Sequence, residues 1–162
     1  MRFTRFVLLA ATATALSTGA SAQSMPAQKV VTLELAQTIA QEAMATCRAN
    51  GFKVTVLVVD ALNMPKVLLR DDGAAASTTE VAKMKATSTM LYNRPSGPAQ
   101  PLPPGVAAPP ATVPGTINAQ GATPIKSGDL TIGAVAVSGA PGGDKDLVCA
   151  DAALAKVADK LK

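Results

Sequence analysis

The sequence predicts an α+β fold, an antiparallel sheet with helices packed against it. Two pairs of short apolar, β-branched runs each flank a brief turn: residues 53–60 with 66–70, and 123–126 with 130–138. Three helical stretches are interleaved with these hairpins, giving the order helix, hairpin, helix, long loop, hairpin, helix. The alternating strands are too few for a doubly wound parallel sheet.

The first helix is expected to start after Val31. Thr32 is a suitable N-cap, Glu34 suits the positive helix start, and Asn50-Gly51 is a stop signal. Ala36, Ile39, Ala40, Ala43, Met44 and Cys47 recur at helical spacing and form one apolar stripe. The run KVTVLVVD then reads as a buried strand, Leu62-Asn63-Met64-Pro65 as a turn, and KVLLR as the second strand, ended by Asp71-Asp72-Gly73. Ser77-Thr78-Thr79-Glu80 has the form of a capping box. Its helix is expected to run through Val81, Met84, Lys85, Ser88 and Leu91 to about Asn93, where Arg94-Pro95 stops it.

Residues 95–115 hold eight prolines and no apolar period, a long loop of extended and polyproline character. A loop of this length in a compact domain serves as a functional flap or as a passive insertion. The second hairpin turns at Ser127-Gly128-Asp129. Gly133, Ala134 and Ala136 on its second strand admit close approach of another element. Gly139-Ala140-Pro141-Gly142-Gly143 follows, with Asp144 as the expected cap of a last helix reaching about Lys160.

Composition narrows the function. Residues 1–22 have the form of an export signal: basic Arg2 and Arg5, an apolar run over 6–16 too short to span a bilayer, and the small-residue site Ala20-Ser21-Ala22. The mature protein is then a single domain, residues 23–162, expected in a bacterial periplasm or outside the cell, with no membrane span after removal of the signal. Without Arg2 and Arg5 the net charge falls from +4 to +2. Neither this charge nor the 2% aromatic content suits nucleic acid. The chain has no histidine, which excludes a Ser-His-Asp triad, a histidine zinc site and histidine-ligated haem. Cys47 and Cys149 are a disulfide candidate in an oxidising compartment; two buried thiols are the alternative.

Four stretches carry a family resemblance: TLELAQTIAQEAMATCRANGFKVTVLVVDA (32–61), LLRDDGA (68–74), KATSTMLYNRPS (85–96) and IGAVAVSGAPGGDKDLVCADAAL (132–154). In this order and spacing the chain resembles the GlcG/HbpS-type haem-binding family, also called haem-degrading-type domains. The resemblance implies a profilin-like α+β domain that assembles into homo-oligomers. It also implies haem or a related tetrapyrrole as the small-molecule ligand. Some exported members bind haem or iron and are linked to redox sensing. Gly121-Ala122-Thr123-Pro124 stands where the family usually has Gly-Gly-x-Pro. That departure, with the added prolines, falls at an expected pocket lip and bears on ligand identity more than on fold.

A haem-like ligand needs a flat apolar slot, an iron ligand and cations for two propionates. Lys85 and Arg94 are the candidate cations, and Tyr92, the only tyrosine, offers a phenolate oxygen. The resemblance implies a hydroxyl ligand on this helix, for which Ser88 is the nearest match, with Thr87 beside it. Ser88 and Tyr92 are therefore the metal-ligand candidates. Solvated cations, a serine bonded to its own helix and a half-buried tyrosine are the plainer alternatives. Met44, Met84 and Met90 suit core packing better than iron ligation. The Gly139–Asp144 turn could hold an anion and Asp71-Asp72 a hard cation, although capping and solvation explain them as well. The expected activity is reversible ligand binding. Oxidative haem degradation and a non-catalytic accessory role are the alternatives.

Overall fold

The computed structural model describes residues 29–98 and 113–162. The expected signal (1–22) and most of the proline-rich loop lie outside the described residues. Chain order is α1 (Leu33–Ala49), β1 (Thr55–Asp60), β2 (Pro65–Arg70), α2 (Ser77–Tyr92), β3 (Ala122–Ser127), β4 (Leu130–Ser138) and α3 (Gly143–Lys156). The strands form one antiparallel sheet in the order β2-β1-β4-β3, with β1 and β4 central. This is the α+β architecture expected from the two hairpins.

Helices α1 and α3 cover one face of the sheet and α2 covers the other. The α1 stripe enters the larger core beside Val54, Val56, Val58, Val135 and Val137. Cys47 of α1 and Cys149 of α3 are bonded within this core, their Cα atoms 5.5 Å apart. On the opposite face Ala82 and Ala86 of α2 lie against Leu57, Val59, Ala134 and Ala136. These small side chains bring helix and sheet close, as the alanines of the second hairpin foretold. Gly133 serves a different contact, because a Cβ there would lie 2.2 Å from the Val59 carbonyl oxygen on the neighbouring strand and 3.0 Å from Val31 on the α1 side.

Thr32 caps α1 as expected, its Oγ1 accepting from the Leu35 N–H at 3.2 Å. Two other expected caps are corrected. The capping box at Ser77 does not form: α2 has no side-chain cap, and Thr78 is turned inward. Its hydroxyl donates to the Ala75 carbonyl at 2.6 Å and meets Thr55 Oγ1 at 2.7 Å, tying the helix start to β1. Asp144 does not cap α3 either. The helix begins two residues earlier, with Gly142 at the cap position, so Asp144 falls in its first turn. The α-helix ends at Lys156, and residues 158–161 form a short 3-10 turn.

At the end of the first hairpin Asp71 is held by Arg48 of α1 at 2.9 Å and by Lys53 at 3.7 Å. Its hydrogen bond to Arg48 holds the carboxyl below its ordinary value, and the charge of Lys53 adds to the effect. A carboxyl depressed in the folded state stabilises the fold above its unfolded pKa, and that stabilisation is lost as pH falls through the folded value. Asp71→Asn is therefore expected to lower the urea midpoint at neutral pH. The gap to wild type should close in acid, and a gap independent of pH would refute this assignment.

Candidate functional site

The expected site residues lie on the second half of α2 and just beyond it, where the chain enters and leaves the proline-rich connection. Lys85 and Ser88 face the protein interior. Tyr92 and Arg94 are half-buried at the surface.

Lys85 and Asp146 form an ion pair of 2.7 Å with each side chain only 4% exposed. The ammonium also donates to the Val137 carbonyl at 2.9 Å, and Asp146 Oδ1 accepts from the Ala140 N–H at 2.9 Å. Helix α2, strand β4 and the start of α3 thus meet at one buried charge pair. Burial pushes the Asp146 carboxyl above its ordinary value, against the opposing pull of Lys85 and the Ala140 N–H. The turn before α3 therefore directs one of its N–H groups at an internal carboxylate. The Asp146 position was not singled out in the sequence. The one available signal was an acid placed on the buried stripe of α3 with Cys149, Ala150 and Ala153.

Gly121 packs directly on this pair. It has φ +130°, and a Cβ there would lie 2.6 Å from Lys85 Nζ and 2.7 Å from the Val137 carbonyl oxygen. Ser96 and Ala122 exchange two hydrogen bonds: the Ser96 N–H donates to the Ala122 carbonyl and Ser96 Oγ accepts from the Ala122 N–H. The two ends of the proline-rich connection are thereby clasped together over α2.

The Ser88 hydroxyl faces the returning chain. It accepts from the Ile117 N–H at 2.9 Å and has the Ile117 and Met84 carbonyls as acceptors, each at 2.9 Å. Its neighbour Thr87 accepts from Asn63 Nδ2 at 3.0 Å. Tyr92 closes α2, followed by Asn93 in the left-handed region at φ 50°. Arg94 folds back with its guanidinium carbon 5.5 Å from the Tyr92 ring centre and donates to the Pro95 and Gly97 carbonyls. The structure thus brings Tyr92 and Arg94 together and directs Lys85 elsewhere, to Asp146.

Of the methionines, Met44 lies in the main core and Met90 packs on the α2 side. Asp71 is taken up by Arg48 and Lys53, while Asp72 is exposed. Among the described residues no three His, Cys, Asp or Glu side chains converge to hold a metal ion. A separate groove runs beside the outer edge of β2, lined by Gln41, Met44, Arg48, Leu68, Leu69 and Arg70. It contains none of the four expected ligand residues.

The fold is shared with solved structures. HbpS is 27% identical, with a TM-score of 0.70, covering 85% of this chain and 97% of that one. A Klebsiella pneumoniae protein, ORFY, assigned to family DUF336, is 25% identical with a TM-score of 0.68, covering 82% and 94%. The PduOC–haem complex, at 18% identity and a TM-score of 0.66, covers 78% and 94% and shares the fold. No curated protein sequence matches the chain. The family described as "Haem degrading protein HbpS-like" matches residues 31–155, which includes every described strand and α-helix but not the last residue of α3. The chain belongs to the HbpS-like family.

Proposed function

We propose that this protein is exported, assembles as a homo-oligomer and binds haem or a related tetrapyrrole as a small-molecule ligand. Membership of a family named for haem degradation, over residues 31–155, is the observation that carries this reading. Tyr92 and Arg94 fit such a ligand. The phenol supplies an oxygen of a type known on haem iron, and the guanidinium is a planar donor suited to a propionate. Exposed Leu91 adds an apolar surface beside them. Lys85 and Ser88 act in this reading as positioning residues, fixing α2 and the returning chain from inside.

Haemin titration of the mature protein, followed by absorbance, tests the proposal. Wild type is expected to give a shifted Soret band that saturates, Tyr92→Phe a different spectrum, and Arg94→Gln weaker binding by about tenfold. No spectral change at micromolar haemin would end the proposal, while identical spectra for wild type and Tyr92→Phe would remove the tyrosine as ligand. The family description also favours a second reading, oxidative haem degradation. Incubation with haemin and ascorbate separates the two, because degradation bleaches the Soret band and binding leaves it stable.

The Cys47–Cys149 bond suits an oxidising compartment and supports export. No helix among the described residues is long and apolar enough to cross a membrane. Assembly is supported by apolar exposure at one end of the sheet. The β1–β2 and β3–β4 turns lie at that end by strand register, the α2 terminus through Thr131 and Asn93, and the start of the described chain through Lys29 and Ser127. Val30, Leu33, Leu62, Met64, Leu91 and Leu130 are exposed there, Leu62 by 82%. Sedimentation velocity is expected to show an oligomer that Leu62→Glu with Met64→Glu dissociates; a wild-type monomer would refute assembly.

A further inference from the structure

Strand β2 ends the sheet: among the described residues it pairs only with β1, so alternate N–H and C=O groups along its outer side point away from the ladder. Proteins usually guard such edges with charge or proline. Here Pro65 and Lys66 guard one end, but the middle is Val67-Leu68-Leu69, and Leu68 is 40% exposed. Register places Leu68 opposite Leu57, on the α2 side of the sheet. The main contacts of α2 run to β1, β4 and β3. Val67 and Leu69 face the other way and pack beside α1. The groove between α1 and β2, lined by apolar Met44, Ala45, Leu68 and Leu69 and by polar Gln41, Arg48 and Arg70, lies beside this unpaired edge.

Charge selects the occupant. Lys66 and Arg70, at opposite ends of the strand, are exposed and have no carboxylate partner among the described residues. A symmetric pairing of two β2 strands runs antiparallel. It would set the Lys66 end of each copy beside the Arg70 end of the other, which like-charge repulsion disfavours. An extended segment that is apolar at its centre and acidic at both ends complements Lys66, Leu68 and Arg70, the last of which also donates to the Ala74 carbonyl. We infer that the β2 edge and its groove accept such a segment of a partner protein by strand addition, with backbone bonds giving affinity and the flanking charges giving selectivity. This is separate from the ligand reading at Tyr92 and Arg94.

The test uses the mature protein and three blocked synthetic peptides of sequence SEVLVES, its lysine counterpart SKVLVKS, and SEVLVES with alternate backbone amides methylated. Calorimetry is expected to detect the acidic peptide, with the lysine and methylated peptides each weaker by about tenfold or more. Arg70→Glu should weaken the acidic peptide and strengthen the lysine peptide, while the haemin titration is unchanged. Equal binding of the methylated peptide would overturn strand addition, and equal binding of the lysine peptide would overturn the charge assignment. No binding of the acidic peptide at millimolar concentration would overturn the proposal outright. An oligomer dissociated by Leu68→Lys would also overturn it, because the occupant of the edge would then be a second copy of this chain.

Discussion

Reduction of the Cys47–Cys149 bond is expected to cost about 5 kcal/mol of stability, the amount that closing a loop of about 100 residues removes from the unfolded chain's entropy. The sequence separation is 102, so the bond restrains most of the described fold. It also joins α1 to α3, which pack side by side on one face of the sheet. In a domain of this size that cost corresponds to a fall of about 10–20 °C in Tm. Urea or thermal unfolding with and without a reductant measures it. Cys47→Ala with Cys149→Ala should show the same loss and no further response to reductant. An unchanged midpoint on reduction would mean that core packing alone holds the two helices.

Removing one partner of the Lys85–Asp146 pair is the second large effect. Both groups are almost fully enclosed, so Lys85→Met leaves a carboxylate buried without its counter-charge. Losses of about 3–5 kcal/mol are typical for a buried ion pair broken in this way. Asp146→Asn leaves the ammonium stranded but keeps an oxygen for the Ala140 N–H. The double variant should therefore lose less than the two single variants added together. A double-mutant cycle in urea reads the coupling directly, and strict additivity would show that the pair contributes nothing as a pair. Haemin binding is expected to weaken in both single variants, because α2 and the start of α3 are held through these side chains.

The helices and strands were legible because their apolar residues keep regular periods. The α1 stripe is buried residue for residue, and the β-branched runs became the two central strands. The inner face of α2 was harder to read. It is built from Ala82, Lys85, Ala86, Ser88 and Thr89, so a buried surface carries the composition of an exposed one. The capping-box motif at Ser77 failed for a related reason. Thr78 has a partner on β1, 23 residues away, that no local pattern reveals. The same holds for Lys85, whose acid lies 61 residues further along. A local reading assigns both to solvent or ligand, and only the fold shows that they face inward. Tyr92 and Arg94, two residues apart at a helix end, could be paired from sequence because the contact is local.

The clasp between Ser96 and Ala122 separates the body of the fold from the length of the loop. Once the two stems of a loop are fastened to each other, the body no longer registers how much chain lies between them. Doubling such a connection costs only about 0.6 kcal/mol in closure entropy. A change in the length of chain between Ser96 and Ala122 therefore adds little to the entropic cost of closing the fold.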